Sequence, residues 1–425
     1  MAINEKTLLD SWMATGRTYD EFKKHLTELS DATHFVRVNP VEISVLSLKS
    51  VNEDKARFWD LQPCNTGGPQ DKTRIRSLAI QNVLKKGSHE QLLKESFENV
   101  KALFFSDGKL IFPAERIFTR GMAQFGVGGS KMGVPSYERD LYVSSLFRDA
   151  RKCTFVIREI SGAQKLVSIL SERYQELPQS ALCNIIEALM KVSDFGTMET
   201  YMWMMTNWTS EIYVEFPEKA DEIRDFYPAL RDDFIPGLWL CTSDTGDSSV
   251  KIYPTWRYRN AISYVEESAV RKVHSSRITL ESVISSVIDK AFKEYARMPE
   301  AMCALMEQSI TDDSLDISTP RGMAKNREIV ESVIKNAFRS LNIVKAIGIG
   351  RTKSLREQLC AEFSGNIRYT AYDIATAIMS MPERLEGVNS VTLHNLESAV
   401  AEAPYIKYFA GKTETKEEEE DLVLI

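Results

Sequence analysis

Cysteine and histidine are scarce and scattered, with six and five residues in a chain of 425. Cys64, Cys153, Cys183, Cys241, Cys303 and Cys360 lie at least 30 residues apart, so no CxxC pair exists and no zinc knuckle can be drawn. Thiols spaced this way read as small buried side chains in a reducing compartment. His25, His34, His89, His274 and His394 show neither HExxH nor HxH spacing, which leaves a carboxylate-only site as the one metal reading open. No apolar run approaches the roughly 18 residues of a membrane span. The start, MAINEKTLLDSW, carries charge where a signal peptide needs an apolar core. The expectation is a soluble cytoplasmic protein with no membrane contact.

Catalytic signatures are missing as well. FGVGGSKMG has the glycines of a phosphate loop, but Walker A chemistry needs Gly before the Lys and Ser or Thr after it. Lys131 stands between Ser130 and Met132, so the match fails. GIGRTKS at 348–354 offers two glycines and two cations behind an apolar run, which is weak alone. There is no GxSxG elbow, and His274 beside Ser275 and Ser276 is adjacency rather than a relay. No catalytic residue, metal or cofactor is assigned, and the chain reads as a binding or assembly protein rather than an enzyme.

What is present is ordinary globular material: 43% hydrophobic and 27% charged residues, over a length suited to two or three packed units. Residues 6–29 read as two short amphipathic helices broken at Gly16. HFVRVNP and EISVLSLKSV alternate as strands, and the pattern from about 72 to 103 turns helical. KALFFSDGKLIFP is a hairpin around Asp107-Gly108, followed by the glycine-rich GMAQFGVGGSKMGVP. CTFVIREI and KLVSIL are strands joined by SGAQ, and a helix over about 180–192 has Ser180 as its N-cap. TMETYMWMM, SEIYVEF, GLWLCTS and SSVKIYPTW supply further strands. After about 278 the period becomes helical, with Val283, Ile284, Val287, Ile288, Ala291, Phe292 and Tyr295 as one stripe. Helices are expected near 323–346, 353–363, 370–380 and 391–402. The expected fold is α+β: a mixed or antiparallel sheet core with flanking helices and a mainly helical C-terminal third. Its expected regions are 1–105 (α+β), 106–278 (strand-rich core), 279–410 (helical) and 411–425 (a disordered acidic tail).

Charge is uneven. The net charge is −7, and the last fourteen residues alone hold two lysines and six acids. Residues 55–86 hold seven bases against two acids, and residues 251–277 hold six against two. Residues 321–356 hold nine (Arg321, Lys325, Arg327, Lys335, Arg339, Lys345, Arg351, Lys353 and Arg356) against Glu328 and Glu331. Such clusters neutralise phosphates and release counterions; the plainer alternative is a solvated helix face. KIYPTWRYRN interleaves Lys251, Arg257 and Arg259 with Tyr253, Trp256 and Tyr258, cations for a backbone and rings for unpaired bases. On a strand over 248–256, Ser249, Lys251 and Tyr253 share one face and Val250 and Ile252 the other. Arg271 and Lys272 extend this set, and Arg351 and Lys353 come from the third cluster. The tail ends Asp421-Leu422-Val423-Leu424-Ile425, an apolar tip behind KEEEE. It resembles the tails of single-stranded DNA-binding proteins, where the acidic peptide competes with DNA and the tip docks partners.

Three passages carry a family likeness over roughly residues 110–280. The first has Ala123, Gln124 and Phe125, then Gly133, Val134, Pro135 and Tyr137. The second places Arg173 and Tyr174 ahead of a helix. The third runs IPGLWLCTSDTGDSSVKIYPTWRYRN, with Thr242 where the family has Asn, Asp244 for Glu, and no Cys-x-Asn-Gly after Arg257. VRKVHSS comes next, with Val273 between Lys272 and His274. Together these resemble the phage/plasmid-like protein family, a domain of unknown function (number 932). The resemblance implies a mobile-element origin, hence a bacterial host cytoplasm, and adds Arg173 and Tyr174 to the candidate set. It implies no activity.

The leading expectation is a nucleic-acid-binding protein, for single-stranded DNA first, that protects or anneals strands in phage or plasmid replication or recombination. It would work as a homo-oligomer, with a replication or recombination protein docking its tail. The alternatives are a self-assembling structural protein of a phage particle or compartment, and a metal-dependent enzyme on nucleic acid.

Overall fold

The computed structural model describes residues 3–38, 44–50, 59–63, 89–96, 99, 102–106, 109–117, 153–171, 181–230, 234–243, 250–264, 269–272, 280–311, 313–385, 387 and 390–410. Its strands are β1 (Met13–Gly16), β2 (Thr33–Val38), β3 (Ser44–Ser50), β4 (Trp59–Pro63), β5 (Ala102–Ser106), β6 (Lys109–Pro113) and β7 (Cys153–Ile160). They continue as β8 (Ala163–Ser171), β9 (Glu199–Thr206), β10 (Ser210–Glu215), β11 (Phe234–Thr242), β12 (Val250–Tyr258), β13 (Ala261–Tyr264) and β14 (Val270–Lys272). They form two seven-stranded sheets. The first runs β2-β7-β8-β6-β5-β3-β4, and the second β1-β9-β10-β11-β12-β13 with β14 also on β12. Among the described strands pairing is antiparallel except for β6 on β8, so the first sheet is mixed. The α+β expectation holds.

Local sequence explains the hairpins. Ser106 pairs with Lys109 across Asp107-Gly108. β7 returns into β8 through Ser161 and Gly162, both at positive φ (53° and 79°), the turn geometry that matches strand twist. The expected boundary at 105 cuts the β5–β6 hairpin, and each sheet takes strands from both sides of it. The first of the two expected N-terminal helices is instead a 3-10 turn (Glu5–Leu8) and the edge strand β1. Gly16 there pairs with Trp203, and a Cβ on it would fall 2.4 Å from the indole. Only a bare backbone lets β1 close on that ring.

The helices are α1 (Tyr19–Asp31), α2 (Glu90–Glu95), α3 (Ala181–Leu189), α4 (Pro217–Phe226), α5 (Leu280–Glu307), α6 (Pro320–Ser340), α7 (Ile343–Ile347), α8 (Ile349–Glu362), α9 (Ala371–Met379) and α10 (Ser390–Ala401). The stripe on α5 is as expected. Val283, Val287, Ala291 and Tyr295 are buried, with Ile284, Ile288 and Phe292 packed at the margin. One core runs from Phe22 and Leu26 of α1 through Ile212, Leu240 and Trp256 of the second sheet to α5, α6 and α9. The helical third therefore shares its core with the sheet.

A fully buried arginine joins the sheets. Arg158 on β7 donates to the backbone O and Oδ1 of Asn207, in the β9–β10 turn, at 2.8 and 2.7 Å, and to Thr33 Oγ1 at 3.3 Å. Asn207 in turn donates to the Leu9 carbonyl. Ser180, the 55–86 cluster apart from β4, most of the expected 72–103 helix and the glycine-rich 121–135 segment lie outside the described residues. No described helix is long and apolar enough to cross a membrane.

Candidate nucleic-acid interface

The β12 segment divides as alternation requires, and both of its faces are covered. Val250, Ile252, Trp256 and Tyr258 enter the main core, where Trp256 meets the ring of Tyr295 edge-on at 5.4 Å between centroids. Tyr253 points the other way, stacked on Trp239 at 4.9 Å under α10. Tyr253, Trp256 and Tyr258 are each 4% exposed or less. This corrects the expected role of the three rings: they sit on opposite faces and are packed, so they cannot form one platform for bases.

The cations of β12 are partly engaged too. Arg257 makes a two-pronged pair with Glu215 of β10, with Nη2 to Oε2 at 3.0 Å, and lies 4.7 Å over the Tyr201 ring. Glu215 holds its guanidinium even further above its usual range, against the pull of burial. Its Nη1 donates to the Arg259 carbonyl at 2.6 Å. A bidentate carboxylate partner occupies the donors that a phosphate would use, so Arg257 is a structural cation. Arg259 is exposed, at positive φ (55°), in a turn whose next two amides, of Asn260 and Ala261, donate to Glu383 Oε1 at 2.9 and 3.1 Å. Lys251 stands opposite Arg271 across the β12–β14 ladder, half-buried and exposed respectively. Lys272 ends β14, while Arg173, Tyr174 and the tail residues Asp421, Leu422, Val423, Leu424 and Ile425 lie outside the described residues.

The third cluster forms a surface. α6 is amphipathic: Val330, Val333, Ile334, Ala337 and Phe338 face the core. At 3.6 residues per turn, Arg321, Lys325, Lys335 and Arg339 fall within about 80° of the opposite arc, with Glu328 and Ser332 among them. Asn326, fully buried, ties α6 to the segments on either side of it. It accepts from Thr311 Oγ1 at 2.9 Å and donates to the carbonyls of Gly365 and Ile367 at 3.0 and 2.8 Å. Two left-handed corners, Asn342 (φ 54°) and Gly348 (φ 84°), fold α7 and α8 back against α6. Gly348 is thus a helix-joining corner, which accounts for the GIGRTKS glycine without a phosphate loop. Lys345, Arg351 and Lys353 are exposed on these short helices. In the 321–356 cluster Arg327 pairs with Glu331 at 3.0 Å. Lys325, Lys335, Lys345, Arg351 and Lys353 make no ion pair among the described residues.

A polar cluster lies under α10 that sequence motifs did not signal. His394 is held between Glu397 Oε2 on Nδ1 (2.9 Å) and Glu211 Oε2 on Nε2 (3.2 Å), with its ring stacked 4.7 Å from that of Trp239. The i,i+3 spacing of His394 and Glu397 is visible in the sequence; Glu211, on β10, is not. Both carboxylates are accounted for by one imidazole, and among the described residues no group of His, Cys, Asp or Glu is arranged to hold a metal ion. The cluster clamps α10 to the sheet.

No family model, curated protein or solved structure matches the chain.

Proposed function

We propose that this protein binds nucleic acid through the exposed cations of α6, α7 and α8, without a catalytic step. One observation carries the reading. Residues 321–356 place nine cations against two acids on three consecutive helices of a chain of net charge −7, and Lys325, Lys335, Lys345, Arg351 and Lys353 are among those that make no ion pair among the described residues. Phosphate contacts of this sort give salt-sensitive and sequence-tolerant binding. Preference for single strands drew on stacking by Tyr253, Trp256 and Tyr258 and on the resemblance of the tail to those of single-stranded DNA-binding proteins; burial of the three rings withdraws the first support, and the cations suit the backbone of either form. A place in phage or plasmid replication or recombination rests on the family resemblance alone.

The test is fluorescence anisotropy with labelled single- and double-stranded DNA across a salt series. About five phosphate contacts give a slope of log K on log salt near −4.5 for duplex and −3.5 for single strands. Replacing Lys345, Arg351 and Lys353 together by Ala should lower the slope by about 2–3, with stability nearly unchanged because all three are exposed. An unchanged slope overturns the assignment. Absence of binding, with large assemblies seen by light scattering, would put the self-assembly reading in its place.

A further inference from the structure

The 3-10 turn Glu5–Leu8, β1, α1 and β9 surround a cavity of about 410 Å³, and none of its lining residues belongs to α6–α8. Two of its walls are indoles, Trp12 and Trp203, while its charged members, Lys6 and Glu21, are exposed, so charge is confined to the solvent side. His25 and Trp203 also line it, at 8% and 2% exposure. His25 Nδ1 and Trp203 Nε1 have no hydrogen-bond partner among the described residues. The two rings lie 5.5 Å apart between centroids, inclined at 49°. Local sequence builds this pair. His25 follows Glu21 by about one turn of α1, and Trp203 stands opposite Gly16 in the β1–β9 ladder, where the missing side chain leaves room for the indole. Trp239 and Trp256 carry unpartnered indole nitrogens too, but their rings are packed on other rings, at 4.9 and 5.4 Å. At Trp203 a second buried nitrogen and a cavity come with the first. A buried indole N–H ordinarily finds an acceptor, and leaving it without one is costly.

We propose that this cavity binds a small molecule through a neutral, planar heterocycle of the nucleobase type, with His25 Nδ1 and Trp203 Nε1 meeting the edge of the ring. The site does not rest on the nucleic-acid reading above. Each property of the ligand follows from a wall. An indole nitrogen only donates, so the ring must present an acceptor. An imidazole nitrogen donates or accepts according to tautomer, so His25 suits either kind of group beside that acceptor. Burial holds the imidazole pKa below its usual value, so the pair is uncharged near neutral pH. A charged ring would therefore enter without a buried counter-charge, at a large desolvation cost. Trp12 and Trp203 offer faces for a flat ring to stack on. The volume lies within the roughly 300–1,000 Å³ of small-molecule sites. A sugar on the ring would emerge beside Thr15 and Glu21, both exposed.

The test is calorimetric titration of the full chain with adenosine, guanosine, cytidine and uridine. At least one should bind with a Kd of order 10–100 μM. Trp203→Phe and His25→Phe each keep a ring and lose a nitrogen, and should weaken binding about tenfold. Both positions are buried, so two further measurements leave the core untouched. Thr15→Trp, at an exposed lining position, should close the cavity and abolish binding without changing the melting temperature. In the unaltered chain, one of the six tryptophan indole N–H resonances should move downfield as the nucleoside saturates. A single-stranded oligonucleotide that displaces the nucleoside identifies a strand as the source of the base; one that binds without displacing it assigns the cavity to the free molecule. No binding of any of the four at millimolar nucleoside overturns the proposal. So does binding that Thr15→Trp leaves intact, or a bound nucleoside that moves no indole resonance.

Discussion

His394 tests how the C-terminal helices are held to the second sheet. Its imidazole lies between Glu211 and Glu397, each 6% exposed, and its backbone carbonyl accepts from Tyr264 Oη at 3.0 Å. Burial by itself favours the neutral ring. The hydrogen bonds and charges of the two glutamates outweigh it and raise the pKa to about 10. The folded chain thus keeps a proton that the unfolded chain releases near pH 6.5. Because the folded state binds the extra proton, this contribution is complete below about pH 6.5, declines by about 1.4 kcal/mol per pH unit above it, and is gone near pH 10. The total is of order 3–5 kcal/mol. His394→Gln removes the cation and leaves two buried carboxylates facing one another, a loss of about 3–5 kcal/mol at pH 6.5. Urea unfolding of both proteins at steps from pH 6.5 to 9.5 measures the gap between them. Groups common to both cancel in that difference, among them Cys153 and Cys360, whose thiols burial pushes up to about 11. The gap should narrow steadily as pH rises. A gap that stays constant across the range refutes the claim that His394 is a cation in the folded chain.

Two further substitutions separate structure from binding. Arg257→Met removes the partner of Glu215, whose side chain is 12% exposed, and should lower stability by about 2–3 kcal/mol in urea unfolding while leaving DNA affinity within about twofold; a large affinity loss with unchanged stability would restore Arg257 to the interface. Gly16→Ala drives a methyl into the Trp203 indole and should cost about 1–3 kcal/mol of stability, together with a change in tryptophan fluorescence. A silent Gly16→Ala would show that β1 does not close on that ring.

Periodicity made most of the framework legible. The β7–β8 hairpin, the α5 stripe and the division of β12 into Val250/Ile252 and Lys251/Tyr253 faces all arise from patterns a few residues long. What covers each face of a strand depends on residues far away in sequence. Alternation puts Tyr253 and Trp256 on opposite sides of β12, which already argues against a single groove. It does not say that α10 covers the Tyr253 side, because α10 lies over a hundred residues later and packs on β13. The same distance hid the His394 clamp, since Glu211 and His394 are 183 residues apart. Arg257 looked available because its partner Glu215 sits two strands away along the sheet. The cationic face was legible as a count of charges; that Arg321, Lys325, Lys335 and Arg339 share one arc of α6 needed only the helical period.

An acidic chain has carboxylates to spare, so the informative question is which cations they claim. Lys165, with a side chain 1% exposed, meets Asp10 at 2.8 Å and Glu95 at 2.7 Å. His394 has Glu211 and Glu397, and Arg257 has Glu215. In each case a cation taken from water is matched by carboxylates that are themselves largely buried, as the cost of desolvation requires. Lys325, Lys335, Lys345, Arg351 and Lys353 have no such match among the described residues, although acids outnumber bases by 60 to 53 over the whole sequence. Folding does not need these five: none is buried, and helix propensity would be served as well by Glu or Gln at the same positions. Their cost to the fold is small repulsion among like charges on neighbouring helices, which a polyanion removes on binding.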